Sequence, residues 1–185
     1  MNVTDAPIDL PPGRETGPLT PSLFNLPESR PMQLAQLLDY SSIRVGLTAR
    51  TKRALFNQIG FHAAQRLGFE PEQVQTCLAA REKLGATGFG NGVAIPHCRI
   101  VGLTSVFATV VRLANPIDWK AVDNVPVDIV FLLLSPVDAG ADHLQALAAI
   151  SRLTRNAATL ARMRGARDRD ALAAVLMAAD ERDAA

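Results

Sequence analysis

The spacing of apolar residues along the chain predicts an alternation of helices and strands. Apolar positions recur at helical intervals after Thr51 and again after Pro71, and Gly68 is well placed to end the first of these helices. The β-branched, apolar runs 106–113 and 127–134 are typical of strands, and the second is apolar enough to be buried on both faces. Because strands and helices intermix, the pattern predicts one α/β domain rather than separate all-α and all-β parts.

Shorter elements follow from the same reasoning. They are a helix near 34–38, strands at 43–45 and 93–95, a helix from 142 through 153, and helices near 157–164 and 168–179. Asp142 could cap the helix that it begins, with Leu144, Leu147 and Ile150 facing the core. Leu84 is predicted to be the last apolar position of the helix that begins at Pro71.

The first thirty residues have a different composition from the rest of the chain. Residues 1–30 hold six of the twelve prolines, interleaved with Gly, Thr and Ser. Such a segment buries too little apolar surface to offset the entropy cost of ordering. We therefore expect a disordered Pro-rich extension over 1–30, with a docking role as the alternative, and a folded domain over 31–180.

Composition and charge narrow the classes of function. A net charge of +1 does not indicate the basic surface with which proteins bind nucleic acid or anionic lipid. The longest aliphatic run, 129–134, is too short to cross a bilayer, and no N-terminal apolar stretch resembles a signal peptide. The two cysteines lack zinc-site spacing. These features predict a cytoplasmic globular domain that neither inserts into membranes nor binds nucleic acid.

A glycine cluster just before an Ile-Pro-His turn is the strongest chemical signal in the chain. The glycines are Gly85, Gly88, Gly90 and Gly92. Pro96 fixes its own φ and favours extended geometry before it, so His97 emerges at a defined point beside the cluster. A histidine in this setting is a candidate nucleophile, base or metal ligand. Converging backbone N–H groups of a glycine-rich loop could also surround a phosphoryl group.

This segment closely resembles the active-site segment of the mannitol/fructose-type enzyme IIA domains of the bacterial phosphotransferase system, in particular their nitrogen-regulatory branch. The matching positions are Arg81-Glu82, Thr87-Gly88, Gly90-Asn91-Gly92 and Ala94-Ile95-Pro96-His97, followed by Asp123-Asn124, Pro126-Val127-Asp128 and His143-Leu144. The resemblance runs from about residue 33 to about residue 177. It implies a mixed central sheet that is covered by helices on both faces.

The resemblance also implies a function and a set of site residues. His97 would accept a phosphoryl group from a histidine-phosphorylated carrier protein, with no cofactor and no metal. His143 would support the transition state, and Arg81 would contact the phosphoryl group or the donor. A phosphate-binding loop would comprise Thr87, Gly88, Gly90, Asn91 and Gly92. As a member of the regulatory branch, the protein would control partners such as potassium-transport or sensor-kinase proteins through its phosphorylation state.

Several alternatives remain at this stage. The protein could be a free-standing fructose- or mannitol-type sugar-uptake component, or a binding module that is never phosphorylated. A metal site of His97, Cys98 and His143 is disfavoured, because adjacent residues of a strand point to opposite faces. His143 could simply face solvent, and Arg81 could be an exposed helix charge paired with Glu82 or Glu70.

A few residues are predicted to have lesser or structural roles. Ser135 is a lesser site candidate, and Asn91 is expected mainly to form the loop, because Asn-Gly is a turn signal. Trp119 is expected to pack in the core. Cys98 stands where the resembled family commonly has glycine. It could narrow access for the donor, make the site sensitive to oxidation, or have no effect.

Overall fold

The computed structural model describes residues 33–183, so the extension predicted over 1–30 lies outside the described residues. The strands are β1 (Arg44–Leu47), β2 (Gly88–Gly90), β3 (Val93–Ala94), β4 (His97–Ile100), β5 (Phe107–Ile117) and β6 (Val127–Pro136). The helices are α1 (Leu34–Leu37), α2 (Lys52–Leu67), α3 (Pro71–Lys83), α4 (Gly140–Thr154), α5 (Ala157–Gly165) and α6 (Arg169–Asp183). A 3₁₀ turn, Tyr40–Ser42, precedes β1.

One mixed sheet contains all six of these strands, and β6 lies at its centre. The order is β1-β5-β6-β3-β2, with β4 also paired to β6. β5 runs antiparallel to β6, whereas β3 and then β4 run parallel to it, with His97 opposite Leu133. Pro96 lies between β3 and β4, and this break starts β4 at His97.

Helices cover both faces of the sheet, as predicted. Apolar residues of α1, α4, α5 and α6 pack with one face in a first buried cluster. Those of α2 and α3 pack with the other face in a second buried cluster, which includes Trp119 as expected. Leu132 belongs to the second cluster and Leu133 to the first, because successive residues of a strand point to opposite faces.

The predicted helix end at Gly68 and the predicted helix start at Pro71 are confirmed, and the structure adds a cap at Thr51. The Thr51 side chain accepts a hydrogen bond from the backbone N–H of Ala54 and caps α2. Gly68 follows α2 in the left-handed conformation, with φ of 76°. Pro71 is the first residue of α3, where its missing N–H has no helical partner to lose.

Three other predictions about elements were wrong. α4 begins at Gly140 after Ala139, which has no capping side-chain hydrogen bond, so Asp142 lies in the first turn and is not the cap. Leu144 is 65% exposed, because the buried stripe of α4 passes through His143 and Ala146 instead. Leu84 lies just after α3 and is 85% exposed.

The predicted strands differ from the observed ones mainly in length. β5 extends four residues beyond the predicted end at 113, because Ile117 pairs with Val127 of β6. β3 is only two residues long, and Ile95 lies in the link to β4.

Candidate functional site

The His97 ring is held from both sides by hydrogen bonds. Its Nδ1 lies 2.8 Å from the carbonyl oxygen of Ile95. A carbonyl oxygen only accepts hydrogen bonds, so Nδ1 carries the proton and the free lone pair is on Nε2. Arg81 Nε donates to that Nε2 over 3.1 Å. The Ile-Pro-His sequence thus fixes both the orientation of the ring and its tautomer.

The surroundings of His97 favour the neutral imidazole. Burial lowers its pKa below the ordinary value of 6.5, and the positive charge of Arg81 lowers it further. The hydrogen bond to Ile95 and the charge of Glu82 act in the opposite direction without reversing the shift. At neutral pH the ring is therefore uncharged and its Nε2 lone pair is available.

His143 lies next to His97, as the resemblance implies, and does not face solvent. The two ring centroids are 5.5 Å apart with the planes tilted by 55°. His143 is in the first turn of α4, is only 7% exposed, and shares a hydrogen bond of 2.8 Å between its Nδ1 and Ser135 Oγ. Burial lowers the pKa of His143, and charge repulsion from Arg99, Arg81 and any protonated His97 lowers it further.

Arg81 reaches the site from the last turn of α3. Its Nε donates to His97, while its Nη1 donates to the carbonyl oxygen of Gly85 over 3.0 Å. The carboxylate of Glu82 instead pairs with Lys52, at 2.8 Å from Nζ. Arg81 is therefore a cation placed directly against the Nε2 lone pair of His97.

Glu82 belongs to the Arg81-Glu82 match with the resembled family, but the sequence assigned it no role beyond that of a possible ion partner for Arg81. Its Oε2 accepts hydrogen bonds from the Thr87 backbone N–H over 3.0 Å and from the Thr87 hydroxyl over 2.6 Å. Lys52, which holds the other carboxylate oxygen, also donates to the Trp119 carbonyl oxygen over 2.9 Å. The Thr87 hydroxyl thus donates its proton to Glu82. Toward any other group it can only accept a hydrogen bond, so in this arrangement it does not donate to a phosphate.

The predicted phosphate-binding loop is a β-hairpin whose two ends lie in different places. Thr87 and Gly88 line an open cleft of about 400 Å³ together with His97 and residues of α4. Gly88 also packs closely against buried side chains, since a Cβ there would lie 2.7 Å from the Ala121 Cβ and 3.0 Å from the ring of Trp119, a member of the second cluster. Packing is therefore a sufficient reason for glycine at this position.

Gly90, Asn91 and Gly92 form the far end of the hairpin and do not line the cleft beside His97. The Asn91 backbone N–H donates to Asp123 over 2.7 Å, and its carbonyl oxygen accepts from Arg164. Asn91 and Gly92 both have positive φ, as expected for an Asn-Gly turn. The structure thus gives this end of the hairpin a loop-forming arrangement outside the cleft at His97.

Arg99 is a second cation of the site that the sequence reasoning missed. It lies two residues after His97 on β4, and its side chain donates to the Val137 carbonyl oxygen over 3.1 Å. Its charge reaches His143, where it helps to lower the pKa of that ring. Strand parity could have identified it, because residues i and i+2 of a strand share a face.

Cys98 does not line the cleft and does not narrow access to His97. Its side chain is buried among the second cluster, on the opposite face of β4 from His97. Within residues 33–183, no three His, Cys, Asp or Glu side chains are grouped so that they could hold a metal ion. None of the helices described for this chain has the length and apolar character needed to cross a bilayer.

Comparisons with known proteins identify the family of the chain. The family model of the phosphoenolpyruvate-dependent sugar phosphotransferase system, EIIA 2, matches residues 36–179. The nitrogen regulatory protein of Bradyrhizobium diazoefficiens is 41% identical over 145 residues, which are 78% of this chain and 95% of that protein. That of Pseudomonas aeruginosa is 39% identical over 142 residues, which are 76% of this chain and 92% of the relative.

Solved structures share the fold. The crystal structure of nitrogen regulatory protein IIA-Ntr from Neisseria meningitidis superposes with a TM-score of 0.73 at 30% identity, over 77% of this chain and 98% of that one. The mannitol IIA of Escherichia coli has a TM-score of 0.61 at 19% identity, over 73% and 95% of the two chains, and supports the fold alone. The chain therefore belongs to the EIIA 2 family of the phosphoenolpyruvate-dependent sugar phosphotransferase system, and its relatives include proteins of the nitrogen-regulatory branch.

Proposed function

We propose that this protein is a phosphoryl carrier that accepts phosphate on His97 Nε2 from a phosphohistidine of a small carrier protein. One observation carries the proposal: the proton of the ring is held on Nδ1 by Ile95, while the Nε2 lone pair faces the Arg81 guanidinium. A neutral imidazole with its lone pair beside a fixed cation is suited to attack an electron-poor phosphorus. We assign the IIA domain to residues 31–180.

In the proposed step, the Nε2 lone pair attacks the phosphorus while the bond from phosphorus to the donor nitrogen breaks. The electron pair of that bond returns to the donor ring, and the phosphoryl group passes to His97. Charge is spread over the three equatorial oxygens during transfer. Arg81 must leave the lone pair as phosphorus approaches, and its guanidinium then pairs with those oxygens.

We assign His143 to the support of this transition state. Its ring lies beside that of His97, and its Nδ1 is held by Ser135, so its Nε2 is the ring nitrogen left to face the transferring group. A doubly negative phosphoryl group at His97 would favour the imidazolium form of His143. We place Arg99 in the same role at longer range, because its charge reaches His143.

We assign this chemistry to a regulatory role in the cytoplasm. The nitrogen regulatory proteins of Bradyrhizobium diazoefficiens and Pseudomonas aeruginosa are 41% and 39% identical to the chain, whereas the mannitol IIA is 19% identical. We therefore propose that phosphorylation of His97 switches binding to regulatory targets, for which potassium-transport and sensor-kinase proteins are candidates. A doubly charged group on this surface would change its complementarity to any partner. A sugar whose phosphorylation depends on this protein would favour the sugar-uptake alternative instead.

The proposal is tested by incubating the purified protein with phosphoenolpyruvate, the general phosphotransferase enzyme and the histidine carrier, and then measuring the intact mass. We expect one acid-labile phosphoryl group on the wild type and none on His97→Ala. His62→Ala, which changes an exposed histidine of α2, serves as the matched control and should be phosphorylated normally. Acceptance by His97→Ala, or no acceptance by the wild type from a competent donor, would overturn the proposal.

A further inference from the structure

Behind the site, on the opposite face of β4, two cysteines lie side by side. Cys98 is buried in the second cluster, and Cys77 of α3 packs against the same cluster. The Cys77 thiol donates to the carbonyl oxygen of Arg99 over 3.2 Å, which places its sulfur against the backbone directly after Cys98. Both cysteines are free thiols in this structure.

Only one of the two thiols can be reached from solvent. Cys77 is half-buried and lines an open cleft of about 520 Å³ between α3 and β4, together with Arg99. Cys98 is buried, and burial raises the pKa of its thiol above the ordinary value, with the neighbouring Cys77 as a further cause. An incoming reagent therefore meets Cys77 first.

We propose that Cys77 and Cys98 form a reversible disulfide, which makes this pair a modification site. The oxidant is a small-molecule disulfide of the glutathione class. The Cys77 thiolate attacks one sulfur of that disulfide, which forms a mixed disulfide and releases one small thiol. Cys98 then loses its proton and attacks the Cys77 sulfur, and the second small thiol leaves. Two electrons pass from the cysteine pair to the oxidant, which is reduced to two thiols.

The two cysteines lie on the same two elements, α3 and β4, as Arg81 and His97. Cys77 and Arg81 are four residues apart, so they lie on the same face of α3 one turn apart. Cys98 directly follows His97 on β4. A disulfide brings its sulfurs to about 2.05 Å, closer than any contact between free thiols. The bond therefore draws α3 and β4 together beside the Arg81–His97 hydrogen bond.

We infer that the oxidised protein accepts phosphate more slowly, a consequence that rests on the proposed function. Arg81 must withdraw from the His97 lone pair before phosphorus can approach it. A cross-link one turn earlier in α3 restrains that movement and holds the guanidinium in place. The effect expected on the rate is a severalfold loss that a thiol reductant restores.

The first arm of the test needs no phosphoryl transfer. The full-length protein is incubated with oxidised glutathione and then treated with an alkylating reagent, before and after reduction. We expect the wild type to lose both alkylatable thiols and the mass of two hydrogens, with full recovery on reduction. Cys77→Ser and Cys98→Ala should each form no internal disulfide. If the wild type keeps both thiols, or stops at a mixed disulfide on Cys77, the proposed modification site is wrong.

The second arm compares rates of phosphoryl acceptance in the oxidised and reduced states. Oxidation should slow the wild type severalfold and leave Cys77→Ser unchanged, which separates the disulfide from general damage by the oxidant. Equal rates for a wild type whose disulfide is verified by mass would overturn the link to His97. Absence of acceptance in both states would contradict the proposed phosphoryl function, while the mass measurement would still decide the disulfide.

Discussion

At the residue scale, the properties of His97 follow from a few groups within hydrogen-bonding distance. The Ile95 carbonyl oxygen holds the proton of the ring, and Arg81 occupies the remaining lone pair. Burial excludes the water that would stabilise an imidazolium, so the same contacts that orient the ring also keep it neutral.

These contacts predict how His97 titrates. Its pKa lies below 6.5, so the ring should stay mostly neutral at a pH where an ordinary histidine is half protonated. NMR of the ring nitrogens against pH should give a midpoint below 6.5 and a neutral tautomer protonated on Nδ1. In Arg81→Gln the midpoint should rise, because a repelling positive charge is removed, but burial should still keep it below 6.5. A midpoint above 6.5 in the wild type would contradict this account.

The environment of His143 predicts a smaller effect on transfer. His143→Ala should slow phosphoryl acceptance on the order of a hundredfold, as expected when one group that stabilises developing charge is lost. The phosphorylated species should still form, because the nucleophile is intact. Ser135→Ala removes only the hydrogen bond that holds the His143 ring and should cause a smaller loss. Rapid-mixing measurements of acceptance would test both, and an unchanged rate in His143→Ala would exclude its supporting role.

At the element scale, the β2–β3 hairpin has a different task at each end. One end lines the cleft at His97, while the Asn-Gly end is fixed to α5 and β6. Arg164 of α5 binds Asp128 through two hydrogen bonds of 2.8 and 2.9 Å and also donates to the Asn91 carbonyl oxygen. The ion pair therefore acts as a clamp for the hairpin.

Removal of this clamp should affect stability more than chemistry. Arg164→Ala should lower the free energy of unfolding by about 1 kcal/mol, because the hydrogen-bonded pair is lost but partial exposure weakens its charge interaction. Urea unfolding would measure the change, with exposed Arg162→Ala on the same helix as the matched control. The rate of phosphoryl acceptance should change little, since the clamp does not line the cleft beside His97. A large loss of rate with unchanged stability would show that the hairpin end takes part in transfer.

How well each element could be predicted depended on whether its signal is local. Gly68 marks a helix end and Pro71 a helix start through their own backbone properties, and both predictions were correct. Ala139 precedes α4 without a capping side chain, so the nearby Asp142 was mistaken for the cap. Leu144 was wrongly predicted to face the core, because the apolar character of a residue does not show which side of its helix packs against the sheet. The final length of β5 depends on pairing with β6, which its own residues do not encode.

At the scale of the whole molecule, β6 joins two hydrophobic clusters into one structure. Every one of its residues from Ile129 to Leu134 is fully buried, with successive side chains in opposite clusters. Loss of packing on one face of the sheet therefore destabilises β6, and β6 also carries the buried residues of the other face. This arrangement favours a single cooperative transition on unfolding.

Paired substitutions on β6 test that cooperativity. Leu132→Ala and Leu133→Ala lie in different clusters, and each should lower the free energy of unfolding by about 2–5 kcal/mol. The exposed Leu144→Ala, by contrast, should change it little. Fluorescence of Trp119, the single tryptophan, reports the second cluster, while circular dichroism reports helices on both faces. Coincident urea transitions by both probes are expected, and separate midpoints would indicate that the two faces unfold independently.

The candidate site was predictable only where sequence neighbours or a recognised motif determined it. The turn at Pro96 delivers His97 through local geometry, whereas the approach of Arg81 and His143 was inferred from the resemblance. The Lys52–Glu82 ion pair joins residues 30 positions apart, and no spacing rule could have revealed it. Arg99 could have been found, since strand parity alone places it on the face of His97.

The hydrogen bond between His97 and the Ile95 carbonyl oxygen has a consequence for the kind of phosphohistidine that forms. The hydrogen bond joins His97 to the residue two positions before it. The Ile95-Pro96-His97 tripeptide therefore determines which isomer the protein can carry, pros (phosphorylated on Nδ1) or tele (phosphorylated on Nε2). The tele isomer leaves this bond intact, whereas the pros isomer would have to break it. An antibody selective for tele-phosphohistidine should therefore recognise the modified protein, and this selectivity should survive substitutions elsewhere in the fold.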